Sequence, residues 1–292
     1  ARFYLRVIVF SQFVKWLGVP PCVTANAMLA RNWSDMKHND LQDGRFARLC
    51  AHRGLSGVCP ENTLPAFGAA LAVGADEIEF DLWLSRDGVA VVCHDETVDR
   101  TCVGSGRLSE LEWPVIRNFD AGAKHSPMWR GVRMPRLEEV LDLTGGRIGL
   151  NIHIKEPGAG GELVTLVCAM IRKRGLEGVA YIAGDEAVLR AAMDSAPEVP
   201  RACLHATEQP HEQLRVARKY GCRRVQFSRH HVTPDDICRA HDANLTCNLF
   251  WSDDAKDATG YVHSGIDVIL TNCAHQLIAD GVRAIDDIRI KT

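Results

Sequence analysis

The chain has 292 residues, of which 46% are hydrophobic, and carries a formal net charge of −3. A chain of this size can bury one large core, so we expect one main domain. Lysine, arginine, aspartate and glutamate are interspersed without a basic stripe or tail, which argues against a nucleic-acid partner.

The N-terminal segment differs from the rest, because the apolar stretch Phe3–Pro21 is followed by the polar stretch Trp33–Arg45. Lys15 interrupts the apolar stretch, which is too short to span a bilayer and weak as a signal peptide. We expect an N-terminal flank, 1–35, and a cytoplasmic barrel domain, 36–292, without stable membrane insertion. The flank is a native extension, a signal segment or a sequence upstream of a natural start; the sequence leaves these three readings open.

The chain has 11 cysteines, an odd number that is scattered without a Cys-x-x-Cys pair of the zinc or redox type. Cys50, Cys93, Cys203 and Cys247 lie within apolar, strand-like runs, where cysteine behaves as a small hydrophobe. We therefore expect mostly buried, free thiols in a reducing compartment.

Short apolar runs that favour β-strands alternate along the chain with amphipathic stretches that favour helices. The strand-like runs are Ala47–Ala51, Asp76–Leu84, Arg147–Ile154, Gly178–Ala183, Arg201–Leu204, Arg223–Ser228, Asn244–Phe250 and Asp267–Thr271. The helix-like stretches are Thr63–Val73, Glu162–Arg174, Ala187–Ser195, Pro210–Tyr220 and Pro234–His241. Such alternation is typical of parallel strands joined by crossover helices.

A further apolar run, Val89–Cys93, follows the second strand after Ser85–Gly88, a link that suits an antiparallel hairpin. The remaining strands favour an α/β fold, a closed (β/α)8 TIM barrel, over an open doubly wound sheet. The segment Glu96–Pro135 is too long for a simple loop. We expect it to form a small insertion above the barrel mouth.

Charged residues cluster where the first two strands end. His52 and Arg53 follow the first run, at the end of a barrel strand where enzymes of this fold place their sites. Glu79 and Asp81 alternate with Phe80 on the second strand, so both carboxylates point into the barrel. Unpaired buried carboxylates are costly, and a hard divalent cation removes that cost.

The strand that ends in Lys155 repeats this alternation, with Asn151 and His153 on the same face. Polar residues in this arrangement are typical of a mouth that binds an anion. His153 either completes the metal site or hydrogen-bonds a ligand, and the pattern leaves both open.

His94 closes the predicted hairpin and returns a second imidazole toward His52. Two imidazoles that flank a phosphorus atom can divide proton removal and proton donation. A surface pair of His94 with Asp95 is the alternative. Trp251 ends a strand and forms either an apolar wall at the mouth or part of the core.

The ordered motifs resemble those of the glycerophosphodiester phosphodiesterase family. They are His52-Arg53-Gly54, Glu61-Asn62-Thr63, Glu79-x-Asp81, His94-Asp95 and the strand ending in Lys155. The likeness covers most of 49–272 and is more specific in its first half. It implies a (β/α)8 barrel that hydrolyses a small-molecule glycerophosphodiester to glycerol 3-phosphate and an alcohol with a divalent metal ion.

The resemblance also implies roles for individual residues. His52 and His94 would form the acid/base pair, and Glu79 and Asp81 would bind the metal. The residues expected to contact or support the substrate are Arg53, Glu61, Lys155 and Trp251.

One position departs from the family pattern, which commonly has a glutamate two residues before the lysine, where this chain has His153. A third ligand with a neutral nitrogen would weaken binding of Mg²⁺ and Ca²⁺ and favour Mn²⁺, Co²⁺ or Zn²⁺. The metal ion, the preferred head group and the oligomeric state are left open by the sequence.

Two alternative functions remain at this point. A lysophospholipase D or sphingomyelinase D activity would use the same barrel, although the toxin-like relatives lack the Glu61-Asn62-Thr63 motif. A non-catalytic barrel that binds phosphodiesters is the second alternative, and His153 is the feature that favours it.

Overall fold

The computed structural model describes residues 47–282, and the predicted flank 1–35 with its boundary lies outside them. The strands are β1 (Arg48–His52), β2 (Glu77–Leu84), β3 (Ala90–Val92), β4 (Gly149–Ile154), β5 (Ala180–Gly184), β6 (Arg201–Cys203), β7 (Arg224–Ser228), β8 (Thr246–Phe250) and β9 (Val268–Thr271). The α-helices are α1 (Leu64–Val73), α2 (Trp113–Ile116), α3 (Leu137–Thr144), α4 (Glu162–Arg174), α5 (Glu186–Ser195), α6 (Pro210–Lys219), α7 (Pro234–Asp242), α8 (Ala255–His263) and α9 (Ala274–Ala279). None of these helices has the length and apolar character that a membrane crossing requires.

The parallel strands close into a barrel because β1 pairs with both β2 and β9. β3 lies outside the ring and pairs antiparallel with β2. The predicted (β/α)8 barrel with a hairpin excursion is confirmed, and the predicted strands overlap the observed ones closely. The sequence patterns did not predict α2, α3, α8 or α9, since such short helices depend more on packing than on their own propensity.

Hydrophobic packing on the outside of β2 fixes which of its side chains face inward. Ile78, Phe80 and Leu82 are fully buried in the core between the barrel and its helices. The rings of Phe80 and Phe67 of α1 lie 5.7 Å apart. Because strand side chains alternate, this outward packing turns the acidic residues of β2 into the barrel.

The amino-terminal end of the barrel interior is filled by a buried polar network around Glu77. The Glu77 carboxylate lies 3.2 Å from Arg48 Nη1 and 3.1 Å from Arg224 Nη1. It also accepts a hydrogen bond of 2.8 Å from the Tyr181 hydroxyl, while the Arg224 guanidinium lies 4.2 Å from the centre of the Tyr181 ring. Burial alone would raise the pKa of Glu77, but the charges of Arg224 and Arg48 outweigh it and lower the pKa.

The insertion between β3 and α3 packs in a small hydrophobic cluster that it shares with the hairpin. Two 3₁₀ turns, Leu108–Glu110 and Pro127–Trp129, flank α2 within the insertion. The buried residues of the cluster are Val91, Cys93, Val98, Cys102, Leu108, Ile116, Ala121 and Met134. The cluster attaches the insertion to β2 and β3, and the predicted insertion after the second strand is present.

The cysteines between residues 47 and 282 are all unpaired, as expected. Most are buried, whereas Cys238 is exposed and Cys273 is half-buried. Burial raises the pKa of Cys59 to about 11 and that of Cys203 to about 12, so these thiols stay protonated near neutral pH.

We expect Glu77→Gln to lower the free energy of unfolding by about 3 kcal/mol, because the buried arginines lose their countercharge. Denaturant unfolding of the wild type and the variant measures this difference. Glu112→Gln is the control, since it removes an exposed pair with Arg86 and should cost less than about 1 kcal/mol. Equal losses in the two variants would show that the charge of Glu77 does not stabilise the barrel.

Candidate active site

The register of the parallel strands gathers the predicted site at the barrel mouth. His52 on β1 is the neighbour of Glu79 on β2, and Asp81 is the neighbour of His153 on β4. These side chains all face the interior, in the layer of the barrel where β1 and β4 end. Residues far apart in the sequence thus share one layer of the barrel.

His52 is held between two groups and is only 6% exposed. Its Nδ1 lies 2.9 Å from Asn272 Oδ1, and its Nε2 lies 3.9 Å from Glu79 Oε2. The ring also meets Phe250 edge to face, with centroids 5.3 Å apart. The imidazole therefore has one nitrogen engaged at the barrel wall and the other directed toward the carboxylates.

Arg53 adopts a left-handed backbone conformation with a φ of 57°. This turn lets its backbone N–H donate to Glu79 Oε2 over 3.1 Å while Nη1 donates to Glu61 Oε1 over 2.8 Å. The next residue, Gly54, has a φ of 79°, and a Cβ there would lie 2.7 Å from the Cβ of Ala66. The turn that directs Arg53 into the mouth therefore needs glycine at this position.

Asn62 connects the start of α1 to the carboxylates. Its Nδ2 donates to Asp81 Oδ2 over 2.9 Å, and its backbone N–H donates to the carbonyl of Arg53 over 3.0 Å. The neighbouring Thr63 caps α1. The Glu61-Asn62-Thr63 motif thus joins the helix to the site.

Three side chains could hold a metal ion together. Ligand atoms of Glu79, Asp81 and His153 all lie within 4.8 Å of one another. His153 Nδ1 is 3.0 Å from Asp81 Oδ1 and 3.7 Å from Glu79 Oε1. Lys155 Nζ lies 2.9 Å from the same Asp81 oxygen.

The charges in this cluster shift the protonation of its members. Burial alone would raise the pKa of Asp81, but the imidazole of His153 and the ammonium of Lys155 hold it well below its ordinary value. Burial alone would lower the pKa of His153, but the carboxylates of Asp81 and Glu79 outweigh burial and raise it. Asp81 and His153 therefore stabilise each other's charged forms.

His94 faces the mouth from the end of the hairpin and lines a small cavity with Glu61 and Asn62. Its Nδ1 lies 2.6 Å from Asp95 Oδ1. Burial lowers the pKa of His94, against the opposing charge of Asp81. A pair between His94 and Asp95 is present, and the Asp81 carboxylate is close enough for its charge to act on the imidazole; the acid/base role of His94 stays a prediction.

Arg100 of the insertion contacts both Asp95 and Glu61. Its Nε donates to Asp95 Oδ2 over 2.6 Å, and its Nη1 and Nη2 donate to the Glu61 carboxylate over 2.9 Å and 2.7 Å. The Arg100 guanidinium therefore links Asp95, the partner of His94, to Glu61, the partner of Arg53. The insertion is attached to the mouth through this residue.

Trp251 follows β8 and is half-buried at the mouth. It packs on an apolar layer formed by Cys50, Val268 and Leu270, and the Arg229 guanidinium lies 5.8 Å from the centre of its ring. The side chain thus contributes to packing, and its predicted role as an apolar wall for the substrate stays a prediction.

A model of the glycerophosphoryl diester phosphodiesterase family matches residues 52–275, a span that includes every predicted site residue. The chain belongs to this family. The glycerophosphodiester phosphodiesterase of Caldanaerobacter subterraneus is 34% identical over 243 residues, which are 79% of this chain and 96% of that protein. Family membership confirms the predicted enzyme class, a phosphoric diester hydrolase.

Two further relatives differ in how much they cover. The YhdW protein of Bacillus subtilis is 44% identical over 107 residues, or 37% of this chain and 44% of that protein, so the match spans less than half of that relative. An Oleispira antarctica phosphodiesterase, solved in complex with the product sn-glycerol-3-phosphate, has a TM-score of 0.73 at 21% identity. That match covers 80% of this chain and 96% of the solved chain and shows the shared fold.

Arg100 and Asn272 contact site residues but were not predicted from the sequence. Asn272 directly follows the last strand, so its position at a carboxyl end was an available signal. Arg100 lies in the aperiodic insertion, where no pattern indicates which side chain turns toward the mouth of a glycerophosphodiester phosphodiesterase.

We expect the stability contributed by Glu61 to depend on pH. Burial alone would raise the pKa of Glu61, but hydrogen bonds from Arg100 and the charge of Arg53 lower it. A lowered folded pKa means that the contribution is complete above the unfolded value of about 4.3 and is lost as pH falls through the folded pKa. Glu61→Gln should therefore lose about 1 kcal/mol of unfolding free energy at about pH 7 and less at about pH 4.

Urea unfolding of the wild type and Glu61→Gln at both pH values measures this difference. A loss that stays the same at both values would show that the Glu61 charge is not its source.

Proposed function

We propose that this family member hydrolyses glycerophosphodiesters to glycerol 3-phosphate and an alcohol with a bound divalent cation. The observation that carries the proposal is the position of two imidazoles near adjacent carboxylates: His52 Nε2 lies 3.9 Å from Glu79 Oε2, and Asp81 is close enough to His94 for its charge to act on that imidazole. The relative from Caldanaerobacter subterraneus, which is named for this activity and matched over nearly its whole length, supports the same substrate class.

The residues at the mouth fit a divalent cation. Asp81 Oδ1 is buried and has no hydrogen-bond partner, although His153 and Lys155 lie close to it. Two carboxylates and an imidazole are suitable ligands for Mn²⁺, Co²⁺ and Zn²⁺, and less so for Ca²⁺ and Mg²⁺. A cation bound by Glu79, Asp81 and His153 would supply positive charge to the phosphoryl oxygens.

Two cationic side chains are placed to bind the phosphate. The Nε of Arg53 is buried and makes no hydrogen bond, although it lies 3.7 Å from Asp81 Oδ2, so it could donate to a phosphoryl oxygen. The Lys155 ammonium now lies 2.9 Å from Asp81 Oδ1 and supplies positive charge to that carboxylate. A bound cation would supply this charge instead, and Lys155 could then contact a phosphoryl oxygen. Arg53 and Lys155 would thereby orient the phosphorus atom between the imidazoles.

The imidazoles would then divide the proton transfers. The lowered pKa of His94 keeps it neutral near pH 7, so it suits removal of the proton from the glycerol 2-hydroxyl as that oxygen attacks phosphorus. His52, protonated on both nitrogens at this stage, would donate its Nε2 proton to the alcohol as the phosphorus–oxygen bond to the alcohol breaks, and would keep the proton on Nδ1. Water then opens the cyclic phosphate, with the two histidines in reversed roles.

The activity is tested by release of glycerol 3-phosphate from glycerophosphocholine and glycerophosphoethanolamine, first in EDTA and then with single divalent metals restored. We expect metal-dependent release that falls by about 100-fold or more in His52→Ala and in His94→Ala. His263→Ala is the matched control, because this exposed histidine at the end of α8 lies outside the site. Retained release in both site variants would exclude the proposed acid/base pair.

The same assay separates the alternative functions. Turnover of lysophosphatidylcholine or sphingomyelin without turnover of glycerophosphocholine would identify a lipid phospholipase D activity on this barrel. Binding of a glycerophosphodiester without turnover under any metal would identify a non-catalytic barrel.

We expect His153→Glu to shift the metal preference toward Mg²⁺ and Ca²⁺, because an anionic oxygen replaces a neutral nitrogen. Calorimetric binding of Mn²⁺, Zn²⁺, Mg²⁺ and Ca²⁺ to both proteins measures the shift apart from catalysis. His153→Gln is a second variant, which removes the imidazole without adding charge. An unchanged order of affinities in both variants would exclude His153 as a ligand.

A further inference from the structure

The side-chain amide of Asn272 contacts the Nδ1 of His52, on the side of the ring away from Glu79. Its Oδ1 lies 2.9 Å from His52 Nδ1, and Asn272 is the residue that follows β9. An amide can present either its oxygen or its NH₂ group to an imidazole, and the two choices have opposite effects. An oxygen requires a proton on Nδ1, whereas an NH₂ group requires a lone pair there.

Asp253 settles this choice. Its Oδ2 accepts a hydrogen bond of 2.8 Å from Asn272 Nδ2, and its Oδ1 accepts one of 2.7 Å from the Asn272 backbone N–H. An ionised carboxylate only accepts hydrogen bonds, so the NH₂ group of Asn272 must face Asp253. The amide oxygen then faces His52, whose proton lies on Nδ1.

The position of Asp253 is itself well defined. Its Oδ1 also accepts a hydrogen bond of 2.8 Å from the Thr271 hydroxyl, and the nearby Ser252 N–H donates to the Leu270 carbonyl over 3.0 Å. The loop after β8 is therefore attached to the end of β9. This attachment brings a carboxylate within reach of Asn272.

We propose that Asp253 is a positioning residue that acts through Asn272 to keep the His52 proton on Nδ1 and make Nε2 the reactive nitrogen. Nε2 is the nitrogen on the side of Glu79, at 3.9 Å from its Oε2. The Nδ1 of His94 contacts the Asp95 carboxylate directly, whereas the Nδ1 of His52 is connected to the Asp253 carboxylate through the amide of Asn272. The catalytic part of this inference rests on the proposed function, but the location of the proton does not.

Asp253→Asn separates this role from simple loop anchoring. The Oδ1 of the new asparagine can still accept from Asn272 N–H and Thr271, so the loop keeps its attachment. Its NH₂ group, however, opposes the NH₂ group of Asn272 and drives the Asn272 amide to flip. His52 Nδ1 then accepts a hydrogen bond, and the proton moves to Nε2.

We expect Asp253→Asn to lower kcat for glycerophosphocholine by about 100-fold, the effect of a wrongly placed histidine proton. KM should change by less than about threefold, because the phosphate contacts are untouched. Asp235→Asn is the matched control, since it makes the same change at an exposed pair with Arg239 on α7.

The double variant Asp253→Asn, Asn272→Asp provides a rescue. In it the amide at position 253 donates to the carboxylate at position 272, so the same hydrogen bond forms in the opposite direction. The other carboxylate oxygen faces His52 and again holds the proton on Nδ1. We expect kcat to return to within about threefold of the wild type.

Nitrogen-15 NMR of the metal-free, histidine-labelled full chain at constant pH locates the proton directly, with His52 assigned by its loss in His52→Gln. We expect Nδ1–H in the wild type and the double variant, and Nε2–H in Asp253→Asn. An Nδ1–H tautomer in Asp253→Asn, or a double variant that fails to recover it, would overturn the proposal. If Asp253→Asn does not fold, the tautomer and kcat of the double variant decide.

The NMR result does not depend on turnover. Absence of glycerol 3-phosphate release from the wild type, together with the expected tautomers, would refute the proposed function and leave the role of Asp253 in placing the proton intact.

Discussion

Two carboxylates buried at the mouth of the barrel, Glu79 and Asp81, are the constraint around which the site is arranged. Unpaired, they would be too costly to keep in the interior. The backbone of Arg53, the amide of Asn62 and the side chains of His153 and Lys155 each approach one of them. Partners for the two carboxylate charges therefore come from the turn after β1, the start of α1 and the end of β4.

At its amino-terminal end, β2 carries a third buried carboxylate, Glu77, with different partners. Glu77 has two guanidinium groups and a tyrosine hydroxyl as partners, and these side chains fill that end of the barrel interior. At the mouth, Asp81 Oδ1 has only the two cationic neighbours His153, at 3.0 Å, and Lys155, at 2.9 Å, and Arg53 Nε lies 3.7 Å from Asp81 Oδ2 without a hydrogen bond. One strand therefore carries a carboxylate with a full set of partners at its amino-terminal end and carboxylates that could bind a cation, as proposed, at the mouth.

The two histidines differ in how their proton positions are set. His94 has Asp95 beside it in the sequence, and Arg100 of the insertion orients that carboxylate. His52 depends on Asn272, which comes from the opposite end of the chain and is itself oriented by a loop residue. Pairing of β1 with β9 closes the barrel and also brings Asn272 to His52.

The sequence by itself determined the alternation of strands and helices, the inward direction of Glu79 and Asp81, and the family, because these follow from local periodicity and short ordered motifs. Residues such as His153 were placed on the correct face by alternation alone. Only the tertiary structure decided that His153 and Lys155 share one oxygen of Asp81, that Arg100 joins Glu61 to Asp95, and that Glu77 lies between Arg48 and Arg224. Such contacts depend on strand register and on the path of an aperiodic insertion, which are set by packing across the whole barrel.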